Sequence, residues 1–449
     1  MLLQLDKKWS MVDIGTFMID QRAASATAGE KTYLFRVVCW LMAAALGLVG
    51  CSQSTAQSPN LTAKRGASSA PNLFAGVVAR APDAFYDSPQ RVPDRPGMLL
   101  RSEPLKNASL PNNMRGWRIL YTTSIDDKTP LVAAIATVFA SNNPPAGPRP
   151  VIAWQHGTMG VVQRCAPSLL SAPMSGIPAV EQIAKAGWVI VATDYSFSKN
   201  GGPQPFLIGE AEARAALDSV RAARQMPELK LDSRTVVWGH SQGGHSALWT
   251  GIVGPRYSPD VSIVGVVAIA PPGDVLNLLS MSAPLDRRLG PYIAVAYSRF
   301  YPDISFEQSV HSTAQTAARE IAKLCGFIPQ EDPRRIAALL KEFDGRALTT
   351  DTNSALYARL KQNTADERIT APLLVAQGVL DAVVPVSATN AYVIRRCAAG
   401  QQLEYWTFAG QDHSSIVQSG TPLSERLIMW TKARFANEPQ INGCARMSY

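Results

Sequence analysis

Gly239-His240-Ser241-Gln242-Gly243 is the stretch of this 449-residue chain whose residue types and spacing lead most directly to chemistry. A G-x-S-x-G run between a β-strand and a helix builds a serine nucleophile. The serine sits on a sharp, strained turn, where strand and helix approach too closely for a Cβ two residues to either side. The flanks agree, since Thr235-Val236-Val237-Trp238 reads as a buried strand and Gly244-His245-Ser246-Ala247-Leu248-Trp249 as a helix start. Ser241 is therefore the candidate nucleophile.

A serine needs a base, and the base needs an orienting acid. Of the five histidines, His240 lies inside the turn, His245 on the following helix, His311 in a later insertion and His156 on another loop. His413, in Gly410-Gln411-Asp412-His413-Ser414, follows the last apolar strand, at the sheet end where open α/β folds carry functional groups. It is the candidate base. The acid belongs between Ser241 and the base, after the next-to-last strand, and Asp381 stands there, behind Leu373-Leu374-Val375-Ala376-Gln377-Gly378. Asp412 is the rival, although a residue adjacent to His413 can seldom turn back to hold that ring. Two backbone amides must face the oxyanion that forms on attack. One is that of Gln242; the other comes from Gln155-His156-Gly157-Thr158-Met159-Gly160, with Thr158 the preferred donor and Gly157 close behind.

These residues need a scaffold that gathers strand ends. Residues 117–123 and 131–139 read as an antiparallel strand pair, and strands expected at 151–155, 188–193, 234–238, 263–270, 373–377 and 403–408 alternate with helices. That alternation predicts an α/β fold with a mostly parallel central sheet flanked by helices. Ala213, Ala216, Leu217 and Val220 form the buried stripe of one helix; Thr421 and Pro422 start the last, with Leu423, Leu427 and Trp430 inward. After Pro271-Pro272 the alternation stops for about ninety residues, too many for a structureless loop. Helix-like runs at 306–325 and 332–343 make 273–366 an inserted helical cap, and Val275-Leu276-Asn277-Leu278-Leu279 is its candidate acyl-binding patch, or else its own core. The organisation is then an export signal over 1–50, a tether over 51–72, core over 73–272, cap over 273–366 and core again over 367–449.

At the N-terminus, Lys31 and Arg36 precede the apolar run Val37–Val49, which suits a signal peptide better than a membrane span, and Met11 or Met18 could be the true start. The run ends Leu48-Val49-Gly50-Cys51, which resembles a bacterial lipobox, so Cys51 is the candidate lipidation site and membrane anchor; a plain secretory signal or an uncleaved anchor are the competing readings. Export to the periplasm or cell surface follows. The composition, 46% hydrophobic and 17% charged, is that of a large globular enzyme. The net charge of +8 is spread without a Lys/Arg block or basic-aromatic patch, which argues against nucleic acid as a partner. Cys165, Cys325, Cys397 and Cys444 remain for two disulfides in any of three pairings, with no C-x-x-C spacing to suggest metal or redox chemistry.

The serine elbow, the His156-Gly157-Thr158 loop, Asp381 and His413 resemble those of α/β-hydrolases. More narrowly, these residues together with Cys165-Ala166-Pro167-Ser168, Thr193-Asp194-Tyr195 and Gly201-Gly202-Pro203-Gln204-Pro205-Phe206-Leu207-Ile208-Gly209 resemble the secretory lipase family, capped hydrolases of fungi and actinobacteria. The resemblance covers about residues 80–440 and implies a triad of Ser241, Asp381 and His413, cleavage of acylglycerols or other carboxylic esters, and neither metal nor cofactor. It also implies the pairings Cys165 with Cys325 and Cys397 with Cys444. The loop Tyr195-Ser196-Phe197-Ser198-Lys199 is less glycine-rich than that family's form. A serine peptidase or acyltransferase on the same fold, and a non-catalytic surface binding protein, are the alternative readings.

Overall fold

Central strands that are apolar at every position, rather than at every second one, need helices on both faces, and the computed structural model has that arrangement. It describes residues 73–197, 204–326 and 333–449; the expected signal, the tether and Cys51 lie outside the described residues. The chain runs β1 (Leu99–Pro104), β2 (Met114–Thr123), β3 (Val132–Ser141), β4 (Arg149–Gln155), α1 (Val180–Ala186), β5 (Val189–Phe197), α2 (Gly209–Ala223), β6 (Leu231–His240), α3 (Gln242–Tyr257) and β7 (Ser262–Ile269). Then come α4 (Val275–Met281), α5 (Ala283–Phe300), α6 (Phe306–Ser309), α7 (Gln315–Ala322), α8 (Pro333–Lys341) and α9 (Ala355–Gln362), followed by β8 (Leu373–Gly378), α10 (Val386–Ala398), β9 (Leu403–Phe408), α11 (Pro422–Phe435) and β10 (Cys444–Ser448). Among the described residues the strands form one sheet in the order β1-β2-β3-β5-β4-β6-β7-β8-β9-β10. The β1-β2-β3-β5 pairings are antiparallel and the rest parallel, so the fold is the expected α/β-hydrolase architecture.

Alternation along each strand divides the core in two. Ala153, Val237, Ala268 and Val375 pack with Leu217 and Val220 of α2 and Leu248 and Val253 of α3. Their neighbours Trp154, Trp238, Val267 and Ala376 face the opposite way, against Leu423, Leu427 and Trp430 of α11. The sheet edges were not legible in the pattern. β1 is half exposed, and β10 alternates exposed and intermediate residues, so neither carries the apolar run that marks a strand. β10 is held by parallel pairing to β9 and by the Cys397–Cys444 disulfide.

The insertion is helical, with one departure from expectation. The run at 306–325 is broken into α6 and α7, because Val310 makes an antiparallel bridge with Leu348 and the Thr349 amide donates to Ser309 O at 2.9 Å. Val275, Leu278 and Leu279, 1–3% exposed, belong to the core of the insertion itself together with Leu289, Tyr297 and Ile321. That core extends into the hydrolase domain through Phe206, Leu207 and Ile208, and the Tyr297 hydroxyl donates to Leu207 O at 3.0 Å.

Cys165 and Cys325, with Cα atoms 5.3 Å apart, join the loop after β4 to the insertion across 160 residues. A cross-link over so long a loop restricts the unfolded chain strongly. Replacing both cysteines by serine is expected to lower the unfolding free energy by about 2–4 kcal/mol in urea titrations, with the protein still folding.

Candidate active site

Ser241 is where β6 ends and α3 begins, and its φ of 56° and ψ of −121° lie in a region that side chains avoid. The surroundings enforce that conformation. A Cβ on Gly239 would lie 1.9 Å from Gly243 O, and one on Gly243 would lie 1.8 Å from Gln155 O. The Ser241 amide donates to Ile269 O at 2.9 Å, and Ser241 O accepts from the His245 amide at 3.1 Å. Only glycine fits at 239 and 243, and the serine side chain is left projecting from the turn into a pocket.

The two partners arrive from strand ends far along the chain. The Ser241 hydroxyl donates to His413 Nε2 at 2.9 Å, and His413 Nδ1 donates to Asp381 Oδ2 at 2.7 Å. Asp381 is in turn fixed from both sides: Oδ1 accepts from the Val383 and Val384 amides, each at 2.8 Å, and Oδ2 accepts from Gln377 Nε2 at 2.9 Å. Burial pushes the Asp381 carboxyl up, but the His413 hydrogen bond and charge and the two amides outweigh it and hold the group below the usual carboxylate value. Asp412 does something else, accepting from the Ser414 and Ser415 amides at 3.0 and 2.7 Å to close the turn that carries His413.

The loop after β4 lies directly against this serine, since a Cβ on Gly157 would be 3.5 Å from Ser241 Cβ. His156 Nδ1 donates to Gly157 O at 2.7 Å. A trans peptide carries its C=O and N–H on opposite sides, so pinning that carbonyl also fixes the direction of the Thr158 amide. Burial lowers the His156 imidazole to about 4, so it is neutral at pH 7 and keeps one N–H for this bond. Gln242 opens α3, where the first amides have no helical partner.

Several supporting residues escaped sequence reasoning. His240, noted in the sequence only for its place inside the turn, donates from Nε2 to His413 O at 2.8 Å and packs its ring at a tilt, 4.8 Å from the His413 ring, so it fixes the position of His413. Burial first, then the neighbouring His413 charge, lowers it to about 3. Glu212, fully buried on α2, accepts through Oε1 from Gln242 Nε2 at 2.7 Å and from the Leu207 amide at 3.0 Å. Its Oε2 is 3.7 Å from Nδ1 of buried His245, whose Nε2 donates to Asn363 O at 2.7 Å at the end of the insertion. Burial raises the Glu212 carboxyl. A buried acid among apolar helix positions is the signal that could have found it, but the side chains it faces, Gln242 and His245, lie 30 or more residues away in sequence. Among the described residues no His, Cys, Asp and Glu cluster could hold a metal ion, and no helix is long and apolar enough to cross a membrane.

Comparison with known proteins places this geometry among relatives. The family model described as secretory lipase matches residues 176–325 and 336–443. Lipase 6 of Candida albicans is 24% identical over 417 residues, covering 83% of this chain and 86% of that protein. A protein of Mycobacterium tuberculosis named "Probable inactive lipase" is 24% identical over 384 residues, covering 80% and 82%. Of solved structures, Candida antarctica lipase A superposes with a TM-score of 0.65 at 20% identity, over 85% of this chain and 90% of that one.

Asp194, on β5, braces the loop beside the site. It accepts from the Ser168 amide at 3.1 Å and from the Ser168 hydroxyl, which shares a 2.6 Å hydrogen bond with Tyr86. Burial pushes its carboxyl up to about 7, against the Ser168 hydrogen bonds. A carboxyl raised in the fold keeps its proton to near that pH, whereas the unfolded chain releases it near the ordinary aspartate value of 3.8, so its contribution to stability declines as pH climbs between those values and levels off above. Asp194→Asn should remove that slope. Unfolding free energies from urea titrations between about pH 4 and 7 are expected to fall less in the variant, by up to roughly 1.4 kcal/mol per pH unit.

Proposed function

The chain belongs to the secretory lipase family and is a carboxylic ester hydrolase, and from that premise we propose that it cleaves esters, acylglycerols among them, with Ser241 as nucleophile, His413 as base and Asp381 as orienting acid. The observation that carries the reading is the unbroken relay of two hydrogen bonds, 2.9 and 2.7 Å, from Ser241 Oγ through His413 to Asp381. Ser241 Oγ attacks the ester carbonyl while His413 Nε2 takes its proton, and Asp381 stabilises the resulting imidazolium. The Gln242 and Thr158 amides, with Gly157 allowing the close approach, stabilise the tetrahedral oxyanion. Collapse expels the alcohol, which takes the proton from His413. Water then attacks the acyl-enzyme, giving a proton to His413, and as this second intermediate collapses His413 returns that proton to Ser241 Oγ and the free acid leaves. Nothing in this sequence of steps calls on a metal or cofactor.

Export is supported by the family's secretory description together with the N-terminal apolar run, and lipidation at Cys51 would hold the enzyme at a membrane by a short tether. The fold division into core, cap over 273–366 and core is part of the same reading. A non-catalytic role, as the name of the mycobacterial relative suggests for that protein, is disfavoured because every residue of the relay is present and in contact.

Ser241→Ala is expected to lower p-nitrophenyl butyrate hydrolysis at least about a thousandfold and to abolish labelling by a fluorophosphonate probe. Undiminished turnover in that variant would overturn the assignment. Asp381→Asn, which leaves the shape but disturbs the imidazole tautomer, should cost kcat on the order of 10³–10⁴ while KM changes little.

A further inference from the structure

Resting on that reading of the site, we propose that the acyl group of the ester lies in a short, blind pocket that, among the described residues, is lined by the hydrolase core alone. The cavity of about 100 Å³ opens beside Ser241 and His413. It continues between the sheet and the loop over 167–176, where Trp154, Met159, Leu170, Pro173 and Ala192 present apolar surface. Trp154 and Ala192 are direct partners in the β4–β5 pairing, so they form one continuous floor.

Among the described residues, none that lines this cavity falls within 273–366. The apolar stripe of α4, which the sequence offered as an acyl site, is spent inside the core of the cap, with Val275, Leu278 and Leu279 almost completely buried there. The far end is closed by a thin wall. Leu73, Ser175 and Gly176 line the cavity on one side and, on the other, a separate surface groove bounded by Pro111, Met174 and Val180. Phe74 packs at 3.8 Å from the position a Cβ of Gly176 would take. The segment behind the wall is tied down, since the Ser171 amide donates to Val78 O at 2.8 Å and the Arg80 amide to Leu169 O at 2.9 Å.

The volume is well below the roughly 300–1,000 Å³ of pockets that enclose drug-sized ligands, and an apolar, closed space of that size selects short, unbranched acyl groups. Each methylene buried before the wall should raise kcat/KM about threefold to fourfold, and methylenes beyond it should be refused.

The test is a p-nitrophenyl ester series from acetate through butyrate and octanoate to palmitate, with fluorophosphonate labelling of each protein as a check on the nucleophile. Wild type should rise from acetate to butyrate and decline by octanoate. Leu73→Ala, which joins the cavity to the outer groove, should raise kcat/KM for octanoate at least tenfold relative to acetate. Ala192→Leu should move the optimum down to acetate, and Leu276→Ala in the cap should leave the profile where it was. A wild-type optimum at palmitate, profiles unmoved by both pocket variants, or a profile displaced by Leu276→Ala would each overturn the proposal. In those cases labelling of Ser241 persists and ester hydrolysis as such stands. Failure of wild type to label would instead remove the catalytic reading and this one with it.

Discussion

The structure depends on a backbone conformation that Ser241 holds against its own preference. A side chain at φ 56° and ψ −121° costs on the order of 1–3 kcal/mol, and that strain is tolerated only where the surroundings leave no alternative. Here β6 and α3 are clamped by two glycine contacts in which a single methyl would meet a backbone carbonyl below 2 Å. The same clamp sets everything that follows. It turns the serine out of the sheet, starts a helix whose first amides have no partner within the helix, and brings Gln155 and the loop after it into contact with the elbow.

Around the clamp, the chemistry is held in place mainly by neutral hydrogen bonds to backbone carbonyls. His156 fixes the peptide that carries the Thr158 amide, and His240 fixes the main chain of the base. Both imidazoles are kept uncharged at neutral pH by burial, so neither would compete electrostatically with the imidazolium that the proposed mechanism forms at His413. A carboxyl gives the deeper support. Glu212 accepts from Gln242 and from the Leu207 amide just before α2, and its other oxygen lies 3.7 Å from His245, whose Nε2 donates to Asn363 O near the end of the insertion, so the elbow helix and the insertion meet at one buried polar cluster.

How much of this could be read from residues alone depended on whether the signal was local. The elbow, the strand before it and the helix after it form one continuous run, and the helix stripe at Ala213, Ala216, Leu217 and Val220 repeats at short range, so they were legible. Asp381 and His413 were found because each follows an apolar strand. β1 and β10 were missed because edge strands bury little and their identity lies in a partner's hydrogen bonds. α6 and α7 read as one helix because the Val310–Leu348 bridge that separates them links residues far apart in sequence. The α4 stripe shows the remaining ambiguity, since an apolar face is the same in sequence whether it meets a substrate or its own neighbours.

The two disulfides also divide the chain into covalent circuits. Cys165–Cys325 closes a large ring that carries Ser241, Cys397–Cys444 closes a small ring that carries His413, and Asp381 sits on the single thread between them. A protease in the surrounding medium that cuts once inside either ring opens a loop but frees no piece. Only a cut between 325 and 397 would part Ser241 from His413, and the Asp381 segment of that thread is packed as a buried central strand and its hydrogen-bonded turn.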